Sequence, residues 1–139
     1  MLSVYPACFI KDDDGYSVVF PDLNYLSTCG DTLEESMSMA IDCLAGYLYT
    51  AKLDGENVSN PSNISDIDIN ELSKELEFKP ENCFINLISV DIEAYAKKNF
   101  NKSIKKTLTI PEWLNFEAKK KNINFSRTLQ DALKEKLGY

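Results

Sequence analysis

The side chains that could do chemistry in this chain are carboxylates and thiols, because its 139 residues include no histidine. A Ser-His-Asp triad, a Cys-His nucleophile pair and a zinc site with histidine ligands are therefore excluded. No two of the four cysteines form a C-x-x-C pair, so the spacing does not predict a zinc ribbon or a thioredoxin-like motif. The chain has 5 glycines and neither a G-x-G-x-x-G nor a G-x-x-x-x-G-K-[ST] motif, so a glycine-rich phosphate loop is not expected.

Five aspartates near the start of the chain are the candidates for metal-dependent catalysis. A metal-dependent nuclease would need several carboxylates gathered around a divalent cation. Three of these aspartates precede Gly15 in a predicted turn, where aspartate is common because its side chain accepts hydrogen bonds from nearby backbone N–H groups. We therefore predict no catalytic residue, no metal site and no cofactor, and a nuclease stays an alternative. The five residues are Asp12, Asp13, Asp14, Asp22 and Asp31.

Hydrophobic patterning places four strands and one long helix in the first 100 residues. Helical spacing of apolar side chains predicts a helix that begins at a capping box, formed by Asp31 with Glu34 or by Thr32 with Glu35, and ends near Leu53. The polar segment 54–82 is expected to be a loop with one short helix near 69–76. The resulting order β-β-β-α-β is an α+β arrangement with the helix on one face of a sheet. The strands are predicted at 2–10, 16–20, 26–29 and 83–92, followed by a short helix or turn at 93–99.

The remaining residues predict one more strand and two helices. Residues 103–110 alternate, with Leu108 and Ile110 on one side together with Ile104 and Lys106. Pro111 ends this strand and opens a helix that runs to Lys121. A second helix follows a turn at 123–126 and runs to Leu137. Asn122 is the expected C-cap of the first helix, and Asn124 or Ser126 the N-cap of the second.

Charge divides the chain at about residue 100. Residues 1–100 hold six lysines and eighteen acidic residues, for a net charge of −12, and residues 101–139 hold nine basic and four acidic residues, for +5. We therefore expect two modules with different partners, 1–100 and 101–139. The acidic module should repel nucleic acid, whereas the basic one can attract it through counterion release. A solvated basic helix with no partner is the alternative for the second module.

A strand and two helices in so few residues cannot bury their apolar side chains alone. Two copies that pair their strands antiparallel and interlock their helices would bury them, and the basic tail resembles the ribbon-helix-helix family of DNA-binding dimers. The resemblance implies a ribbon in the major groove and a phosphate contact at the start of the second helix, through free backbone N–H groups. The implied base-reading residues are Lys105, Thr107 and Thr109. The implied phosphate-contacting residues are Asn124, Phe125 and Ser126.

Plainer explanations stay open for these residues. The strand could serve only to join two copies, without DNA. Thr107 and Thr109 also suit a strand by β propensity alone, and Asn124 and Ser126 suit ordinary helix capping. Family members often carry Arg, Asn or Gln on the strand. The two threonines are a departure from that pattern, and they predict weaker discrimination between bases.

Four segments together resemble the HicB antitoxin family over nearly the whole chain, with the weakest likeness at 54–82. They are YPACFIKDDDGYSVVFPDL, TCGDTLEESMSMAIDCLAGYL, LISVDIEAY and KKTLTIPEWLNFEAKKKNINFSRTLQDALKEKLG. One departure is Asn24-Tyr25-Leu26, where the family often has Pro-Gly-Cys or a similar turn. The resemblance implies a partial RNase H-like front domain and a ribbon-helix-helix tail, without enzymatic activity.

The resemblance also implies partners. HicB proteins neutralise HicA, a small basic toxin that cleaves mRNA, and repress their own operon by binding operator DNA. The acidic front module suits a basic toxin, since opposite fields speed encounter. The contacts with the toxin are not predicted, and the pairing of homodimers into a higher oligomer stays open.

Two further expectations concern location and the alternatives. The chain has neither a signal-peptide pattern nor an apolar run long enough for a membrane span, so we expect a cytoplasmic protein with reduced thiols and no membrane partner. A stand-alone repressor without a toxin would explain the tail but leave the acidic module without a role. A short basic reading frame beside the gene would argue against that alternative.

Overall fold

A computed structural model describes all residues, 1–139, and divides the chain into two compact units, Met1–Lys102 and Ser103–Tyr139. We call them the front unit and the tail unit. The front unit contains β1 (Leu2–Asp12), β2 (Gly15–Phe20), β3 (Leu26–Gly30), α1 (Leu33–Asp54), α2 (Ile69–Glu75), β4 (Cys83–Asp91) and α3 (Ile92–Asn99). The tail unit contains α4 (Glu112–Lys120) and α5 (Phe125–Leu137). None of these helices is both long and apolar enough to cross a membrane.

The sheet of the front unit is antiparallel throughout, with the strand order β3-β2-β1-β4. Three strands, then α1 and the short α2, then β4 follow one another along the chain, which confirms the α+β arrangement predicted from the sequence. β1 lies in the interior of the sheet, with Phe9 opposite Val18 on one side and opposite Phe84 on the other. The Phe9 and Phe84 rings stack with their centroids 5.0 Å apart.

The β1–β2 turn depends on glycine. Gly15 has a φ of 147°, and a Cβ there would lie 2.4 Å from the carbonyl oxygen of Gly30 on β3. Asp12 Oδ1 accepts a hydrogen bond from the N–H of Asp14, at 2.9 Å. This contact shows the turn-forming role that the sequence offered as the plain explanation for the aspartate run.

Helix α1 begins and ends at local signals. Of the two capping boxes that the sequence allows, Thr32 with Glu35 is the one formed, because Thr32 Oγ1 accepts from the N–H of Glu35 at 3.1 Å. Glu35 Oε2 in turn accepts from the N–H of Asp31, at 2.8 Å. Gly55 ends the helix in the left-handed conformation. The predicted bounds of this helix are therefore confirmed within a residue or two.

One face of the sheet packs against α1 to form the core. The buried apolar side chains come from three of the strands, from α1 and from Leu23 in the connection between β2 and β3, and α3 packs against α1 beside them. Six consecutive residues of β1, Tyr5–Ile10, are buried, so the second face of this strand is also covered. The core consists of Tyr5, Ala7, Phe9, Val18, Phe20, Leu23, Ala40, Leu44, Ala45, Leu48, Ile88 and Val90.

The segment between α1 and β4 is tied to the sheet by polar contacts. Tyr5 Oη donates to the carbonyl oxygen of Ser59 at 2.8 Å. Asp22 accepts hydrogen bonds from both the N–H and the hydroxyl of Ser62, at 2.8 and 2.6 Å. Helix α2 confirms the short helix expected in this segment.

The strand predicted at 103–110 is not formed in the single chain. Residues 100–111 have no regular secondary structure, and residues 101–114 are all exposed. The physical reason is that a strand needs a neighbour for its ladder of hydrogen bonds. The sequence-based expectation assigned that neighbour to a second copy of the same segment.

Candidate nucleic-acid interface

Residues 103–110 present both sets of alternating side chains to solvent. Lys105, Thr107 and Thr109 are exposed, as the expected role in base reading requires, and no hydrogen bond involves their side chains. Leu108 and Ile110 of the opposite set are also exposed, at 56% and 41% of their surface. In the single chain, both sides of this segment are therefore exposed to solvent.

The turn between α4 and α5 is set by an asparagine in the left-handed conformation. Asn122 has a φ of 54° and follows Lys121, the C-cap of α4. The N–H of Asn122 donates to Lys119 O at 3.0 Å, and the N–H of Ile123 donates to Ala118 O at 3.0 Å. This pair of bonds is a Schellman motif, which redirects the chain into α5.

The start of α5 places one predicted residue in a capping role. Asn124 is the N-cap, because its side-chain oxygen accepts from the N–H of Arg127 at 3.0 Å. Ser126 Oγ accepts from Gln130 Nε2 at 3.2 Å. The backbone N–H groups of Phe125 and Ser126 have no acceptor, as expected for the first turn of a helix.

These two N–H groups form a suitable environment for an anion. They lie at the positive end of the α5 dipole, whose first turn contains Arg127 and no acidic residue. The side chain of Asn124 is engaged in the cap, so in this arrangement its contribution is to hold the first turn of α5 in place. Phosphate contact through Asn124, Phe125 and Ser126 remains a prediction.

The tail unit leaves its apolar side chains exposed. Neither α4 nor α5 contains a buried residue. An exposed apolar surface of this extent on a small unit is typical of an interaction site. The exposed residues are Ile104, Leu108, Ile110, Trp113, Leu114, Phe116, Ile123, Phe125, Leu133 and Leu137.

The aspartates proposed for the nuclease alternative do not form a metal site. No group of three cysteine, aspartate or glutamate side chains lies close enough together to hold a metal ion. Asp12 is engaged within its own turn, and Asp22 is bonded to Ser62. Burial and the neighbouring Cys83 raise the pKa of the Cys8 thiol to about 12, which makes Cys8 a poor nucleophile at neutral pH.

The sign of the charge along the chain changes before residue 100. Every acidic residue of the front unit lies at or before Glu93, so positive charge begins inside α3 with Lys97 and Lys98 rather than after residue 100. This change of sign can be read from the sequence, because Glu93 is the last acidic residue before the tail unit. These two lysines were not among the predicted site residues.

Comparison with known proteins identifies the family. The model of the HicB-like antitoxin of bacterial toxin-antitoxin systems matches residues 5–132. The chain belongs to the HicB-like antitoxin family. This assignment confirms the resemblance drawn from the four sequence segments, and it supports the expectation that the protein is not an enzyme.

Individual relatives extend the comparison. Antitoxin HicB 2 of Photorhabdus laumondii is 48% identical over 58 residues, which are 42% of each protein, so the match spans less than half of that relative. A chain of a toxin-antitoxin complex from Streptococcus pneumoniae is 32% identical, with a TM-score of 0.63 over 98% of this chain and 99% of that one. The antitoxin HicB of Burkholderia pseudomallei is 23% identical over 97% of this chain and 96% of that one, with a TM-score of 0.48.

Proposed function

We propose that this antitoxin neutralises a HicA-type toxin through its front unit and represses its own operon through its tail unit. The observation that carries the first part is the likeness to the Streptococcus pneumoniae chain, which extends over nearly the full length of both proteins and whose structure is that of a toxin-antitoxin complex. A partner that is a small basic protein fits the acidic front unit, because residues 1–93 hold four lysines against eighteen acidic residues.

The fold of the front unit agrees with this role. The β-β-β-α-β order is the one that the resemblance associates with a partial RNase H-like domain, and no nuclease site accompanies it. The unit has its own core and a large charged surface, which together suit a protein that covers a partner. The four cysteines are free, which agrees with action in the reducing cytoplasm.

For the tail unit we propose a ribbon-helix-helix homodimer on operator DNA. Its support is the exposed apolar surface, the unpaired segment 103–110 and the two free N–H groups at the start of α5. Pairing of two such segments would form the ribbon and bury Leu108 and Ile110 between the helices. Lys105, Thr107 and Thr109 would then point into the major groove, on the side opposite to those apolar residues.

Co-expression tests the toxin partnership directly. The antitoxin is produced with the short basic reading frame beside its gene, and the complex is purified through a tag on the antitoxin. We expect a stable complex and restored growth of cells that produce the toxin. Operator binding without toxin binding would contradict the proposal and favour a stand-alone repressor.

A further inference from the structure

The charge of the molecule changes sign inside α3, before the boundary between the two units. Residues 94–111 contain five lysines and no acidic residue, whereas residues 1–93 have a net charge of −14 from four lysines and eighteen acidic residues. The structural boundary lies later, after Lys102. The front unit is acidic overall, but its last three lysines have the same positive charge as the net charge of the tail unit. They are Lys97, Lys98 and Lys102.

The end of α3 is held firmly on the front unit. The ring of Phe100 lies 5.7 Å from that of Tyr95 and 5.6 Å from that of Tyr49 on α1, between ring centroids. Asn101 Nδ2 donates to the carbonyl oxygen of Lys98 at 3.0 Å. The backbone that carries Lys98 is therefore positioned by packing and by hydrogen bonding.

Two of these lysines have no partner within the molecule. Lys52, by contrast, is bonded to Glu93 at 2.8 Å. The side chains of Lys98 and Lys102 form neither an ion pair nor a hydrogen bond with the protein. A lysine in the last turn of a helix complements the helix dipole, which accounts for Lys98. The dipole does not account for Lys102, which lies three residues beyond the end of α3.

We propose that Lys98 and Lys102 bind the DNA phosphates that flank the ribbon, so that the operator contact includes residues that precede the segment 103–110 along the chain. This inference rests on the proposed binding of operator DNA. Lys102 directly precedes the segment 103–110, and Lys98 lies four residues earlier, at most about 14 Å along an extended chain. Successive phosphates of one strand lie about 3.4 Å apart along the helix axis, so about four of them fall within that length.

The chemistry favours phosphates over the other partners of this protein. An ammonium group is a point charge on a flexible stem, which suits sequence-independent contact with phosphates. A basic toxin would be repelled by the same group. Because a dimer has two copies, four lysines would contribute, and they would add affinity without adding base preference.

The test uses the full-length protein and two double variants that remove the same charge. The first is Lys98→Ala with Lys102→Ala, and the control is Lys74→Ala with Lys79→Ala, two exposed lysines in an acidic part of the front unit. Affinity for the promoter fragment and for an unrelated duplex is measured from 50 to 200 mM salt, with circular dichroism as the check of folding.

We expect the first variant to lose affinity for both duplexes by the same factor, about eightfold for each phosphate contact at 0.1 M salt. The slope of log K against log salt should become shallower by about 0.9 for each contact, and by up to about 3.6 for a dimer. A slope equal to that of the control variant would overturn this inference alone, provided that the wild-type protein still prefers its promoter. A wild-type protein without affinity for DNA would overturn the proposed repression as well.

Discussion

Replacement of Lys105 by alanine is the sharpest test of the DNA-binding arrangement. Lys105 is exposed and forms no hydrogen bond or ion pair within the chain, so its replacement should leave the fold unchanged. A good contact between lysine and a guanine edge contributes about 1–3 kcal/mol of discrimination. The two-fold symmetry of a homodimer doubles this to about 2–6 kcal/mol, or a loss of about 30-fold to about 10⁴-fold in preference for the promoter.

The neighbouring Lys106 supplies the matched control. It carries the same charge one residue along, but alternation places it on the side of Leu108 and Ile110. Because that side faces away from the groove, Lys106→Ala removes the same charge without removing a base contact and should leave the preference for the promoter unchanged, whereas Lys105→Ala should lower it. The measurement is a competition titration at fixed salt with both duplexes. Equal promoter preference in Lys105→Ala and the wild-type protein, with assembly unchanged, would refute the placement of Lys105 in the groove.

Three further predictions follow from the same structure. Deletion of 103–139 should reduce the assembly to a monomer or a weaker oligomer, because the exposed apolar surface of the tail unit is removed; light scattering that shows no change would rule out dimerisation through this unit. The fragment 1–102, once shown to be folded by circular dichroism, should still bind the toxin and rescue growth at least partly, and failure would move the toxin contact to the tail unit. The N–H of Ala94 and the amino group of Met1 lower the pKa of Asp91, so its contribution to stability is present above the ordinary aspartate pKa and is lost as the pH falls through the lowered value. Asp91→Asn should therefore flatten the acid side of the curve of unfolding free energy against pH, and an unchanged curve would contradict this role.

The two units of the antitoxin differ in how far their apolar side chains are shielded from water. The front unit encloses its core between α1 and the sheet within one chain. The tail unit has too few residues to enclose its apolar side chains, which are exposed in the single chain, and we propose that a second copy covers them. If the dimer forms as proposed, its stability depends on protein concentration, whereas that of the front unit does not.

The sequence by itself determined the elements whose signals are local. The start of α1 follows from Thr32 and Glu35, three residues apart, and its end follows from Gly55. The β1–β2 turn follows from an aspartate run before Gly15. Hydrogen bonds within one turn involve neighbours along the chain, so residue types at short spacing are sufficient to predict them. The family was recognisable for the same reason, from four continuous segments.

Only the tertiary structure decided which distant residues meet. It pairs β1 with β4, with Leu2 opposite Asp91, and it bonds Asp22 to Ser62, so this aspartate is engaged outside any metal site. It also shows that residues 103–110 find no strand partner within the chain. Contacts between distant residues depend on how the whole chain buries its apolar surface, which the pattern within one short segment does not specify.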